Sequence, residues 1–245
     1  MGYSVVDIDR AVLVSDVHCS AGNCRAKEVA KLAAREGASL VVLGDLFDDF
    51  HWRVSESELE RALRAVFRGI AGLEVYYVTS GSSHDPILER DAHFKPEGLT
   101  VHVYPRALVA RIGPLRVFLT HGDMALRNGA QAFLVNAIAL ILGERLYLEK
   151  ALKRKLHLPD SWWLIMGHTH IPGIDREARV ANAGSWKAAW WAGLPYWRPP
   201  SNTYILTEAR ARPHLVLHGS GRRSSPLRRW REGGCGVHGV RRPVA

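Results

Sequence analysis

The sequence predicts an α/β fold, and three observations carry that reading. Short, wholly apolar runs rich in β-branched residues recur, among them Ala11-Val12-Leu13-Val14 and Leu40-Val41-Val42-Leu43. That is the pattern of strands buried on both faces. A helix-periodic stretch separates these two runs, so the chain opens as a strand–helix–strand unit whose functional edge lies at the C-terminal strand ends. From Thr100 onwards the runs are short and tightly connected, which predicts a second, more antiparallel sheet facing the first.

In order, Arg25 to Glu36 reads as an amphipathic helix with Val29, Ala30, Leu32 and Ala33 inward and Gly37 ending it. Ser55 or Ser57 caps a second helix from Glu58 to Ile70, whose inward stripe is Leu59, Leu63, Val66, Phe67 and Ile70. Glu74 to Val78 is a third strand, and Val101 to Tyr104, Leu108 to Ile112 and Leu115 to Leu119 follow, with a turn at Gly113-Pro114. Met124 to Leu158 is helical and unusually apolar. It reads as a helix pair packed on the domain or as a lid for a lipid-bearing substrate, with Lys150, Lys153, Arg154 and Lys155 suited to acidic head groups or to water alike. Trp162 to Met166 is a further apolar run, Arg179 to Trp186 a strand and turn, and Thr203 to Leu206 and Pro213 to His218 are closing strands. Trp186, Trp190, Trp191 and Trp197 wall a cleft or simply pack. The fold is expected over residues 1–218, with a helical insert at about 124–158.

The chain has 245 residues and a formal charge of +9, and residues 220–245 hold seven arginines against Glu232, leaving only +3 for the rest. Residues 219–245 therefore read as a basic flexible tail, able to meet nucleic acid through phosphates. No 18-residue uncharged apolar stretch occurs, so no transmembrane segment is expected, and Met1 to Arg10 lacks the apolar core of a secretory signal. Cys19, Cys24 and Cys235 have no framework spacing, which fits a reducing cytoplasm. The apolar insert leaves a peripheral place at a membrane open. Nothing in the pattern speaks to oligomeric state.

The chemistry lies where the apolar runs stop. Ala11–Val14 runs into Asp16-Val17-His18, Leu40–Leu43 into Gly44-Asp45, Glu74–Val78 into Ser83-His84-Asp85, Leu115–Leu119 into His121-Gly122-Asp123, and Trp162–Met166 into Gly167-His168-Thr169-His170. Residues at i and i+2 in extended chain point to one side, so Asp16 with His18, and His168 with His170, are candidate ligand pairs. Mixed carboxylate and imidazole donors suit Mn²⁺, Fe²⁺ or Zn²⁺ rather than Ca²⁺. Asp45 could bridge two such cations, which together clamp a phosphate and acidify a shared water. An imidazole such as His84 can then protonate the leaving oxygen.

These five motifs, in this order, resemble the blocks of the calcineurin-like metallophosphoesterases. The resemblance implies a four-layer α/β/β/α sandwich of two mixed sheets flanked by helices. It implies one metal held by Asp16, His18, Asp45 and His170, and a second by Asp45, His121 and His168. The helical insert between the fourth and fifth blocks is similar in placement to that of the UDP-2,3-diacylglucosamine pyrophosphohydrolases. One departure stands out: the family's third block carries an asparagine ligand, and Ser83 occupies that position here, so a weaker second site is expected. The implied activity is hydrolysis of phosphate esters or pyrophosphates of a small-molecule or lipid-linked substrate. A nuclease, favoured by the basic tail, and a degenerate binding module, favoured by Ser83, are the alternatives.

Overall fold

The computed structural model describes residues 2–20, 24–48, 53–81, 84–188, 199–208 and 211–217. Ser83, Trp190, Trp191, Trp197, Cys235 and the tail at 219–245 lie outside them. In chain order the elements are β1 (Val5–Asp7), β2 (Arg10–Val14), α1 (Ala26–Arg35), β3 (Ser39–Leu43), α2 (Glu56–Val66), β4 (Glu74–Thr79), β5 (Ala92–Phe94), β6 (Thr100–Pro105), β7 (Ala107–Ile112), β8 (Leu115–Thr120), α3 (Gly129–Ile141), α4 (Tyr147–Lys155), β9 (Trp163–Met166), β10 (Gly173–Asp175), β11 (Val180–Asn182), β12 (Thr203–Glu208) and β13 (Ala211–Leu217).

Two sheets form. A seven-stranded one runs β13-β12-β2-β3-β4-β6-β5 and a six-stranded one β1-β7-β8-β9-β11-β10. In the first, β2, β3, β4 and β6 are parallel and both edges are antiparallel. The second is mixed: β7–β8 and β10–β11 pair antiparallel, the other neighbours parallel. Two expectations need correction. The run at Val101–Tyr104 does not open the second sheet; it joins the first as β6, parallel to β4. The closing strands likewise extend the first sheet beyond β2.

Alternate residues of the strands feed different layers. Leu13, Val41, Val78, Leu108, Leu119, Ile165 and Ala181 meet between the sheets. Val12, Leu40, Val42 and Val75 pack outward on Val29 and Ala30 of α1 and Leu59 and Leu63 of α2. Phe118, Leu164 and Met166 pack on Leu152 of α4. The result is helix, sheet, sheet, helix. Ser55 caps α2 in a reciprocal box with Glu58.

Cys19 and Cys24 are joined by a disulfide, with Cα atoms 4.2 Å apart. Cysteine usage therefore no longer argues for the reducing compartment that the sequence suggested. Among the described residues no helix is long and apolar enough to cross a membrane.

Candidate metal centre

Parallel neighbours in the first sheet bring the ends of β2 and β3 together, and β8 and β9 end at the same rim. The loops are stitched by backbone hydrogen bonds: His18 N donates to Asp45 O at 2.9 Å, Gly167 N to His121 O at 2.9 Å, and Trp186 N to Asp16 O at 3.0 Å. Two glycines permit this closeness. A Cβ on Gly44 would stand 2.5 Å from the His121 ring, and one on Gly167 would stand 1.7 Å from Ser15 Oγ.

The i, i+2 pairs converge, but not as extended chain. Asp16, His18, Asp45, His168 and His170 have φ of 54°, 51°, 50°, 67° and 56°. Each of these five sits past its strand end in the left-handed region, which disfavours residues with a Cβ. Strain of that kind collects at functional sites.

Their atoms fall into two groups around one carboxylate. Asp16 Oδ1 lies 2.9 Å from His170 Nε2 and 3.8 Å from His18 Nε2. Asp45 turns Oδ2 towards His18 Nε2 at 3.5 Å and Oδ1 towards His121 Nε2 at 3.4 Å. Ligand atoms within 4.8 Å of one another make three triads among the described residues: Asp16, His18, His170; His18, Asp45, His84; and Asp16, Asp45, His121. His168 joins none of these triads and meets the site through His121, Nδ1 to Nε2, at 2.9 Å.

Hydrogen bonds outside the cluster assign the tautomers. His121 Nδ1 lies 3.0 Å from Leu43 O, and His168 Nε2 lies 2.7 Å from Leu126 O. A carbonyl only accepts, so each of these nitrogens carries the proton. His121 Nε2 and His168 Nδ1 then aim lone pairs at each other, an arrangement that calls for a cation or an added proton between them. His18 Nδ1 likewise donates to Asp48 Oδ1 at 3.0 Å, turning Nε2 inward. Beyond their charge contacts, Asp16 Oδ1 and His18 Nε2 are buried with no hydrogen bond of good geometry. Buried polar atoms are seldom left so, and both fit a metal as ligands.

The electrostatics agree. Burial alone would raise the Asp16 and Asp45 carboxyls, but the surrounding imidazoles outweigh it and hold both well below the usual range. For His121, burial pulls down while Asp45, Asp16 and Asp123 push up, to about 9. His168 is lowered, by burial and then by His121.

Residues that the sequence reading left without a role hold this cluster. Asp85 is fully buried and accepts from Asp45 N at 2.7 Å, Leu46 N at 3.1 Å, Ser80 N at 2.7 Å and the Tyr77 hydroxyl. Asp48 orients His18 and takes a hydrogen bond from the buried Lys187 Nζ at 3.1 Å. Asp48 is held at about 2: burial raises it, but His18 and Lys187 prevail. Glu149 of α4, also fully buried, accepts from Asn136, Asn182 and Thr169, and Thr169 separates His168 from His170. Lys187, a lone charge amid tryptophans, was the one visible signal. His84 sits at the rim, its side chain 34% exposed, Nδ1 3.0 Å from Asp48 O and its ring edge-on to His18. Ser83 lies outside the described residues.

The chain has the helix, sheet, sheet, helix architecture that the resemblance of its five motifs implies. No family model and no curated protein sequence matches it. Among solved structures it is similar to a conserved uncharacterized protein from Streptococcus pneumoniae TIGR4 described as a predicted phosphoesterase, at 13% identity and TM-score 0.45 over 85% of this chain and 89% of that one. It is similar to vacuolar protein sorting 29 from Cryptosporidium parvum, at 18% identity and TM-score 0.44 over 88% and 94%. A third is wild-type Vps29 complexed with Zn²⁺ from Entamoeba histolytica, at 15% identity and TM-score 0.46 over 85% and 92%. At these identities and TM-scores the likenesses assign no activity to this chain.

Proposed function

We propose that the protein is a dinuclear-metal-dependent hydrolase of phosphate ester or pyrophosphate bonds. The observation that carries this is Asp45: its two oxygens face two separate imidazole groups, His18 on one side and His121 on the other. Asp16, His18, Asp45 and His170 would hold one ion. Asp45, His121 and His168 would hold the other, with Ser83, which takes the place of the family's asparagine ligand in the resemblance, as its weakest donor. Mn²⁺ suits this donor set best, with Fe²⁺ or Zn²⁺ as substitutes. Bound, such a pair supplies charge to a phosphate and a water acidic enough to attack phosphorus at neutral pH.

The chain's own residues do the rest. Asp48 keeps the His18 proton on Nδ1, and Leu126 O and Leu43 O do the same for His168 and His121, so the inward nitrogens stay basic. His84, at the open rim with its Nδ1 hydrogen-bonded to Asp48 O, is placed to protonate the leaving oxygen. The substrate class is a phosphorylated small molecule or a lipid-linked nucleotide sugar. The placement of α3 and α4 between β8 and β9, where the UDP-2,3-diacylglucosamine pyrophosphohydrolases carry their insert, favours the lipid-linked kind.

The test is Mn²⁺-dependent release from a phosphomonoester, a phosphodiester, a UDP-sugar and single-stranded DNA, with Asp45→Asn as control. Turnover of a small substrate, abolished in the control, is expected. Activity on DNA alone would instead make the protein a nuclease, and metal binding without any turnover would make it a binding module. Metal counting on Ser83→Asn checks the second site: it should fill more completely than in the wild type.

A further inference from the structure

We propose that the outward face of α3 docks on an anionic membrane surface. The helix is amphipathic the wrong way round for water. Its buried positions are Ala132, Asn136 and Ala139, small or polar. Its large apolar side chains point out: Leu134 is 56% exposed, Ile138 49%, Leu140 46%, Ile141 84% and Leu142 79%. Helical spacing puts Leu134, Ile138 and Ile141 within about 60° of one another, a single stripe. From Gly129 to Leu142 there is no charged residue, whereas a water-facing helix surface ordinarily carries them. Soluble monomers rarely leave such contiguous apolar patches uncovered.

The inversion is built in. Asn136 cannot turn outward without a loss, because its side chain donates to Glu149 at 2.8 Å and accepts from Leu148 N at 2.9 Å. Asn128 caps the helix from the start, accepting from Gln131 N. The stripe is therefore held facing out.

Charge selects the occupant. Between Met124 and Leu158 there are six lysines and arginines against two glutamates. Arg127 just before α3, and Arg145, Arg154 and Lys155 after it, are exposed. Of the two acids, Glu149 is buried and Glu144 is taken up by Lys150 at 2.7 Å. Two copies docking through this face would bring like-charged flanks together, and the segment from Met124 to Leu158 offers no unengaged acid to answer its arginines. A specific protein partner would need polar groups within the patch to fix its orientation, and the stripe offers none. A lipid layer needs none, and its anionic head groups match the rim. The exposed stretch from Leu134 to Leu142 spans about 12 Å at 1.5 Å per residue, enough to lie in the interface and far too short to cross it. Tyr147, 43% exposed at the start of α4, suits the head-group level.

This docking requires neither metal nor catalysis, so it stands or falls apart from the hydrolase reading. The full chain is mixed with vesicles of phosphatidylglycerol in phosphatidylcholine, or of phosphatidylcholine alone, and sedimented. The protein should partition to the anionic vesicles, less so as salt rises. Ile141→Glu with Leu142→Glu should cut that partitioning by about tenfold or more, with hydrolysis of a soluble ester retained. Arg145→Glu, which leaves the apolar stripe intact, should weaken binding to the anionic vesicles only. No sedimentation of the wild type, or undiminished sedimentation of the double variant, would overturn the proposal. So would a wild-type dimer that the double variant splits in the absence of vesicle binding, which would give this face to a second copy.

Discussion

Replacing Asp85 by asparagine exchanges one carboxyl oxygen for an NH₂ group and tests the scaffolding of the loops that carry the cluster. The carboxyl faces three backbone N–H groups and one hydroxyl. Burial and the neighbouring Asp45 charge raise it, so both protonation states must be considered. As a carboxylate it accepts from all four donors. As a neutral acid it can donate from Oδ1 to the Tyr77 oxygen and still accept at both oxygens. An amide cannot: one of its two positions has no lone pair. The better orientation puts the NH₂ beside Tyr77 and leaves the Leu46 N–H without an acceptor in a fully buried place. Orphaning one buried donor costs about 1–3 kcal/mol, while relief of the repulsion with Asp45 offsets only part of it. In a domain of this size that shifts Tm by about 2–12 °C. Because the same carboxyl holds the Asp45 N–H, metal affinity should fall by about tenfold or more. Urea denaturation of chelator-treated protein reads the first effect and calorimetric Zn²⁺ titration the second. A variant within about 0.5 kcal/mol of wild type, the ordinary noise of a neutral substitution, with unaltered affinity, would refute the reasoning.

Three further outcomes are expected. Gly167→Ala, whose Cβ would meet Ser15 Oγ at 1.7 Å and Asp16 Oδ2 at 2.7 Å, should lose metal binding by dialysis and metal counting while the far edge of the sheets keeps its far-ultraviolet dichroism. Glu149→Ala removes the acceptor of three buried side-chain donors, and should cost about 3 kcal/mol or more in urea denaturation; a loss under about 1 kcal/mol would show that the network reorganises. His121 in the metal-free protein is raised to about 9. Its protonation therefore stabilises the fold fully below about pH 6.5, and that contribution fades as pH climbs to about 9. Metal competes for the same Nε2, so affinity should rise across that window. Thermal melts with chelator and parallel metal titrations check both halves, and a melting point that climbs over the window would contradict the assignment.

The long strands and the first two helices were legible in the sequence because each buries a whole face. Leu40–Leu43 and Ala11–Val14 have no polar residue to place, and α1 shows its stripe plainly. β1, β5 and β10 were not legible. They are three-residue edge pairs with exposed or half-exposed positions, too short for any period, and their pairing is decided by neighbours far away in sequence. Membership of the sheets was half legible: Val101–Tyr104 looks the same whichever sheet it enters, and only the crossover from β4 decides. At the centre, the residues that converge could be read because carboxylates and imidazoles stand where apolar runs end. The supporting groups could not. Asp85, Asp48 and Glu149 look like ordinary loop and helix acids until three dimensions show what they accept.

Five residues at the rim hold a backbone shape that glycine or asparagine would adopt more cheaply. A chain shaped only for endurance would have placed those there and grown sturdier by a margin at every turn. Aspartate and histidine at Asp16, His18, Asp45, His168 and His170 forgo that margin. The same substitutions that would harden the molecule against heat would remove the side chains proposed to hold ions, so thermal hardening of this protein has to be sought elsewhere on its surface.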